Sequence, residues 1–273
     1  MSERVEQHYS KDNLIEAVRD GLRSLGKDPA NLGVADLSEI DQLHVCGLEA
    51  TRELAARLCL TADLHLLDVG CGIGGPSRVL AADYGCRVTG IDLTEVYCRL
   101  AREMAGWVGL DHLLDYRTAD ALDLPFAAAT FDAAWTQHAA MNIADKARLY
   151  GEIRRVLKTG SRFALYDVVR GPGGEVIYPV PWARESAISF LATPDDLRSH
   201  LEEAGFEVVS WRDTTAAGCA WFQKTRARAA ESGLPPVGAR IFMGEDFADL
   251  LANLYRNLDE GRTLTVEVVC VAP

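Results

Sequence analysis

Between residues 64 and 170, short apolar runs alternate with longer stretches in which apolar residues recur every three or four positions. The first run, LHLLDV (64–69), ends in an acid and leads directly into Gly70-Cys71-Gly72-Ile73-Gly74-Gly75, the pattern of a strand followed by a tight turn. From Pro76 the segment SRVLAADYG has helical spacing and stops at Gly85; a β-branched run, CRVTGID, then completes a β-loop-α-β unit. Thr94 is placed to cap a helix reaching Trp107, and LLDYRTAD (113–120) and FDAAWT (131–136) read as strands. Residues 145–157 read as an amphipathic helix ending near Gly160, and SRFALYDVV (161–169) as a fifth strand. This alternation predicts an α/β fold with a mainly parallel sheet covered on both faces.

Beyond GPGGEVIYPVPW (171–182), the tetrad Thr193-Pro194-Asp195-Asp196 supplies an N-cap, a proline at the first helical position and an acid at N3, so a helix is expected to run to about Gly205. Residues 206–214 and 264–272 read as two more strands. Between them, 215–262 is largely helical in pattern, with a break at Gly233-Leu234-Pro235-Pro236. Ahead of the first strand, 11–25 and 47–60 have the spacing of amphipathic helices.

Composition narrows the function. The 273 residues carry 28 Lys+Arg against 40 Asp+Glu, a net charge of −12 that disfavours nucleic acid as a partner and moves small molecules up. No apolar run approaches the roughly 20 residues of a membrane span, and MSERVEQHYS lacks the apolar core of a signal peptide, so the expectation is a cytoplasmic protein without a membrane partner. The seven cysteines include no C-x-x-C pair, which suggests buried thiols and neither a zinc site nor a disulfide framework.

A glycine turn between strand and helix lets a ligand approach the backbone and presents helix N-terminal N–H groups to it. Gly70, Gly72 and Gly75 also satisfy the G-x-G-x-x-G spacing of dinucleotide folds, with Asp92 near the place of a ribose-binding acid, so a nicotinamide-dependent oxidoreductase stands as an alternative. Asp68 tilts the choice: at the end of the first strand it would repel a pyrophosphate and attract an ammonium. Asp92 can accept from ribose hydroxyls in either cofactor. Asp120 is placed to take an adenine amino group, with Ala121 leaving room for the ring. Three acids at three successive strand ends suit a zwitterionic nucleoside better than a diphosphate.

LLDVGCGIGG, GIDL, DALDLPF, FDAAWTQH and RVLKTGSRFALYD, in that order, resemble the motif series of class I S-adenosylmethionine-dependent methyltransferases over about residues 60–170. The resemblance implies a Rossmann-like seven-stranded sheet with an antiparallel last strand and S-adenosyl-L-methionine across the strand carboxyl ends. It implies contacts from Gly70, Gly72, Gly74, Leu93 and Gln137 in addition to the three acids and Ala121. A helical cap (1–60) would cover the cofactor, and the methyltransferase domain (61–273) would carry a helical insertion at about 215–262. No metal is required, because the methyl carbon is already activated by the sulphonium.

DQLHVCGLEATRELA (41–55) and TQHAAMNIADK (136–146) are similar to segments of the sarcosine/dimethylglycine and phosphoethanolamine N-methyltransferases. The leading expectation is therefore N-methylation of a small amine such as sarcosine or dimethylglycine, with C- or O-methylation of a quinone, polyketide or other natural product as the alternative. A scaffold that binds nucleotide without chemistry is the non-enzymatic reading. His138 is the candidate general base or else a structural histidine. Tyr9, in QHYS, matches a catalytic tyrosine of the phosphoethanolamine enzymes or simply opens a helix. On the acceptor side, Asn142 either orients substrate or caps a helix, and His44 either closes over the donor or sits in a surface loop. Tyr178 and Trp182, with Trp211 and Trp221, offer aromatic faces to a methylated ammonium or pack the core. Arg170, Arg184 and Arg212 are the candidate partners of a substrate carboxylate. A homo-oligomer is compatible with this sequence.

Overall fold

The run LHLLDV divides its apolar residues between two faces. In the computed structural model, which describes residues 14–28, 31–233 and 238–273, strand β1 (His65–Val69) sends Leu66 into one hydrophobic core and Leu67 and Val69 into another. Successive strand side chains point to opposite sides, so a continuous apolar run is what a doubly covered strand requires. The other strands are β2 (Arg87–Asp92), β3 (Leu114–Thr118), β4 (Phe131–Gln137), β5 (Leu157–Arg170), β6 (Glu207–Asp213) and β7 (Thr263–Val271). Among the described residues these form one seven-stranded sheet in the order β3-β2-β1-β4-β5-β7-β6. Strand β7 pairs antiparallel with both β5 and β6, while β1 to β5 pair in parallel.

Helices α1 (Leu14–Ser24), α2 (Val34–Asp41) and α3 (Gly47–Ala55) precede the sheet; α4 (Gly75–Tyr84), α5 (Glu95–Trp107), α6 (Lys146–Val156) and α7 (Pro194–Glu203) connect its strands. The insertion between β6 and β7 consists of α8 (Thr215–Ser232), the single turn α9 (Arg240–Met243) and α10 (Phe247–Asp259). Two details depart from the sequence pattern. The chain leaves α6 at Val156 and enters β5 at once, so Gly160, at φ +81, lies within an extended strand whose end bonds to Ala272. The eight-residue α2 was not expected; it contributes only Leu37 and Ile40 as apolar core residues, too few to set a period.

A third apolar cluster ties the front of the chain to the sheet. Leu14, Val18 and Leu22, one turn apart on α1, pack with Leu37 and Ile40 of α2, Leu100 and Met104 of α5, and Phe242 of α9. Beneath it, the Arg78 guanidinium of α4 meets Asp41 at the end of α2 at 2.9 Å, with both side chains fully buried. No described helix is long and apolar enough to cross a membrane.

Candidate active site

Strand order reverses between β1 and β4, and the loops that follow these carboxyl ends line a cavity of about 1180 Å³. Pockets for one small ligand are typically about 300–1,000 Å³, so this one has space for two.

One half is built from backbone turns. Gly70, Gly72 and Gly74 all have φ between +53 and +78, the left-handed region that glycine adopts without strain. A Cβ at Gly70 would collide with Ala139, and one at Gly74 with the Tyr116 ring, whereas a Cβ at Gly72 would meet nothing within 4 Å. The loop is thus packed from behind and open toward the cavity at Gly72. Asp92 holds it in place, accepting from Gly72 N at 3.0 Å and Thr94 N at 2.8 Å. Burial raises its pKa, against the pull of those amide bonds. Asp68 is buried, accepts from the Ser77 hydroxyl at 2.5 Å, and is pushed up to about 7 chiefly by desolvation. Asp120 is exposed and accepts from Leu122 N, while Leu93 and Ala121 line the same wall.

The other half is built from side chains. At the end of β4 the backbone turns at His138, whose φ of +48 is unusual for a non-glycine residue and whose N–H donates to Tyr166 O at 2.8 Å. The His138 ring lies 4.8 Å from the Tyr166 ring and 5.8 Å from that of His44. Desolvation, reinforced by His44, holds the His138 pKa well below 6.5, so the imidazole is neutral at pH 7. Its Nε2 is out of solvent and has no hydrogen-bond partner among the described residues; the same is true of Gln137 Nε2. These are two unspent polar groups on the wall of one cavity. His44 is buried and lowered to about 4 by desolvation. Its Nε2 shares the Thr51 hydroxyl with Gln42 Oε1 and Gln137 Oε1, at 3.1, 2.8 and 3.2 Å. With the His44 Nδ1–H donated to Val45 O, Nε2 is an acceptor, and one hydroxyl proton cannot serve three acceptors, which leaves this corner able to receive donors from a ligand.

Other expected residues are distributed unevenly. Asn142 lines the cavity, but its amide donates to Trp182 O at 2.8 Å and Ile188 O at 3.1 Å, holding that segment across the site. Trp182 is 2% exposed, lines the wall and is anchored through its indole N–H to Ser189. Tyr178 and Trp211 are not on the cavity wall: Tyr178 packs on the first core, and Trp211 lies under Arg198. Tyr9 lies outside the described residues. Of the three candidate arginines only Arg184 lines the cavity, where it pairs with Asp246; Arg212 is engaged by Glu53 and Glu267. Sequence reasoning missed Thr51, which lies behind the wall and joins His44 to Gln137, together with the lining residue Met141 and the apolar wall from the insertion, Phe222, Leu251 and Leu254. The apolar spacing of FADLLANLY was a visible signal, but it marks a buried face without saying what the face meets.

A model described as a methyltransferase domain matches residues 67–165. The O-methyltransferase cnsE of Penicillium expansum is 34% identical over 65% of this chain and 64% of its own length. The 27-O-demethylrifamycin SV methyltransferase of Amycolatopsis mediterranei is 32% identical over 73% of this chain and 74% of its own. The chain belongs to the class I S-adenosylmethionine-dependent methyltransferases. Within this family it is also related to amine enzymes: the sarcosine/dimethylglycine N-methyltransferase of Halorhodospira halochloris is 33% identical over 57% of this chain and 56% of its own. The fold of phosphoethanolamine N-methyltransferase 2 from Haemonchus contortus superposes with a TM-score of 0.74 at 19% identity, covering 94% of this chain and 60% of that one. S-adenosylmethionine is therefore the cofactor of this methyltransferase, and the nicotinamide alternative is set aside.

Proposed function

We propose that this methyltransferase transfers the methyl group of S-adenosylmethionine to an oxygen or carbon nucleophile on a bulky, mostly apolar small molecule. The observation that carries this reading is the second half of the cavity, whose size and Met141, Trp182, Phe222, Leu251 and Leu254 side chains exceed what a glycine derivative can fill. The rifamycin-directed relative supports it, since its named acceptor is a large natural product. N-methylation of sarcosine or dimethylglycine is the second reading, favoured by the Halorhodospira relative.

S-adenosylmethionine, when bound, supplies a methyl carbon already activated for in-line displacement. Gly72 would give it close access to the backbone, and Asp68 and Asp92 would serve its ammonium and ribose hydroxyls. Asp120, Ala121 and Leu93 would hold the adenine end. Gln137 and His44, joined at the Thr51 corner, would border the methionine end of the cofactor. His138, neutral and with Nε2 unengaged, takes the proton from the acceptor hydroxyl or acidic carbon as the new bond forms. Asn142, through Trp182, keeps water away from the reacting atoms.

The test is transfer of labelled methyl from S-adenosylmethionine to a panel of phenolic and polyketide acceptors alongside glycine, sarcosine, dimethylglycine and phosphoethanolamine. Turnover of the phenolic or polyketide members is expected. Turnover confined to the amines would overturn the reading in favour of the second.

A further inference from the structure

The cavity distributes its charge unevenly. Its floor is acidic, with Asp68 near the end of β1, Asp92 at the end of β2 and Asp120 just beyond β3. Its outer wall, formed by α8 and α9, is basic: Lys224, Arg226, Arg228 and Arg240 all line it and all are exposed. Residues 215–243 hold these four cations and a single acid, Glu231, in a chain whose net charge is −12. Lys224 and Arg228 stand one turn apart on α8, on the side that also brings Trp221 and Thr225 to the cavity.

A solvated helix face would also be charged, but two features separate this wall from that case. The same helix contributes the buried Phe222 to the chamber, so its apolar and cationic contributions belong to one continuous surface. The cations are also weakly neutralised. Arg226 lies over the Tyr255 ring at 5.6 Å, and Arg228 reaches Glu39 of α2, an acid that lines the cavity beside these cations, only at 3.9 Å between exposed side chains. Lys224 and Arg240 have no ion-pair partner among the described residues. Arg184, already paired with Asp246, is not part of this set.

We infer that the methyl acceptor is an amphiphilic anion, its apolar body in the chamber beside Trp182, Phe222 and Leu254 and its terminal carboxylate or phosphate held at the rim by Lys224, Arg228 and Arg240. This rests on the methyl-transfer reading above and narrows its substrate class. The anion stays at the rim, so it does not meet the acidic floor, where the cationic cofactor belongs.

Calorimetric titration of the S-adenosylhomocysteine-loaded protein with decanoate, decyl phosphate, decyl glucoside and decyltrimethylammonium, all below micellar concentration, tests the assignment. At least one anion should bind roughly tenfold or more tightly than the glucoside, the scale of one charge-assisted contact. Comparing the two anions tells a carboxylate end from a phosphate end. The preference should vanish in the Lys224→Gln/Arg228→Gln/Arg240→Gln variant with S-adenosylhomocysteine affinity unchanged, and Lys224→Glu/Arg228→Glu should turn it toward decyltrimethylammonium. Equal binding of glucoside and anions, tightest binding of the ammonium by the wild type, or an anion preference that survives the triple substitution would overturn the inference. Failure of the wild type to bind S-adenosylhomocysteine would instead sink the methyl-transfer reading, and is measured in a separate titration of the ligand-free protein.

Discussion

The two halves of the cavity are made in different ways. The cofactor half is a set of turns, each following a strand of the parallel sheet, in which glycines and acids next to one another in the chain are next to one another in space. The acceptor half is assembled from α2, the His44 segment, the loop after β4, the 181–184 segment and the insertion, which are separated by up to some two hundred residues. A part defined by local backbone geometry is sensitive to small changes in shape, whereas a wall of side chains from many elements can be altered piecemeal. Substitutions in the first half should therefore affect every reaction the enzyme performs, and those in the second should change which acceptor is used.

The sharpest challenge to that division lies where the halves touch. Valine at Gly70 would place a β-branched side chain at φ +74 and against Ala139, next to His138. Strain and overpacking together should cost about 3 kcal/mol of stability, measured by denaturant unfolding, and cofactor binding and turnover should fall together. Retention of either function alone would show the halves to be more independent than their contact implies. Next in size, His138→Ala should lower kcat by roughly 10²-fold with cofactor affinity nearly unchanged, as expected for a general base on the acceptor side. A well-folded variant turning over at full rate removes His138 from the chemistry.

Asp92→Ala should weaken S-adenosylmethionine binding by about 2 kcal/mol in a calorimetric titration, because the carboxylate is expected to serve the ribose while fixing the Gly72 amide. The smallest effect near neutral pH is a pH dependence. Burial holds Asp68 at about 7 in the ligand-free protein, and a ligand ammonium beside it would lower that value, so binding would release a proton. Affinity should then rise with pH through about 7 and fall by about tenfold per unit below it, down to the lowered pKa of the complex. Asp68→Asn should flatten the profile; an unchanged slope in that variant would assign the proton elsewhere.

The same contrast explains what was legible in the chain. The antiparallel direction of the last strand followed only from the family resemblance, whereas the strands of the sheet and the glycine loop could be read because strand runs, helix caps and left-handed glycines are local demands that leave local marks. The helical insertion was readable as helix for the same reason. Its role in the cavity was not, because Leu251 and Leu254 have the spacing of any buried face. Asn142 and Trp182 line the cavity, but the Asn142 amide is committed to two carbonyls, which depends on a segment some forty residues further on. Tyr178 follows β5 in the chain but packs on the first core, since proximity to a strand end does not determine which way a long connection turns.

The buried pair of Asp41 and Arg78 sets a condition on transplanting acceptor specificity between relatives. The front segment that carries Gln42 and His44 is joined to the cofactor helix by a charge that has no access to water. A graft that brought a new front segment without an acid at position 41 would strand the guanidinium, at a cost of about 3–5 kcal/mol, enough to unfold many domains. Chimeras should therefore exchange residues 41 and 78 as one unit, or leave both in place and vary only the insertion.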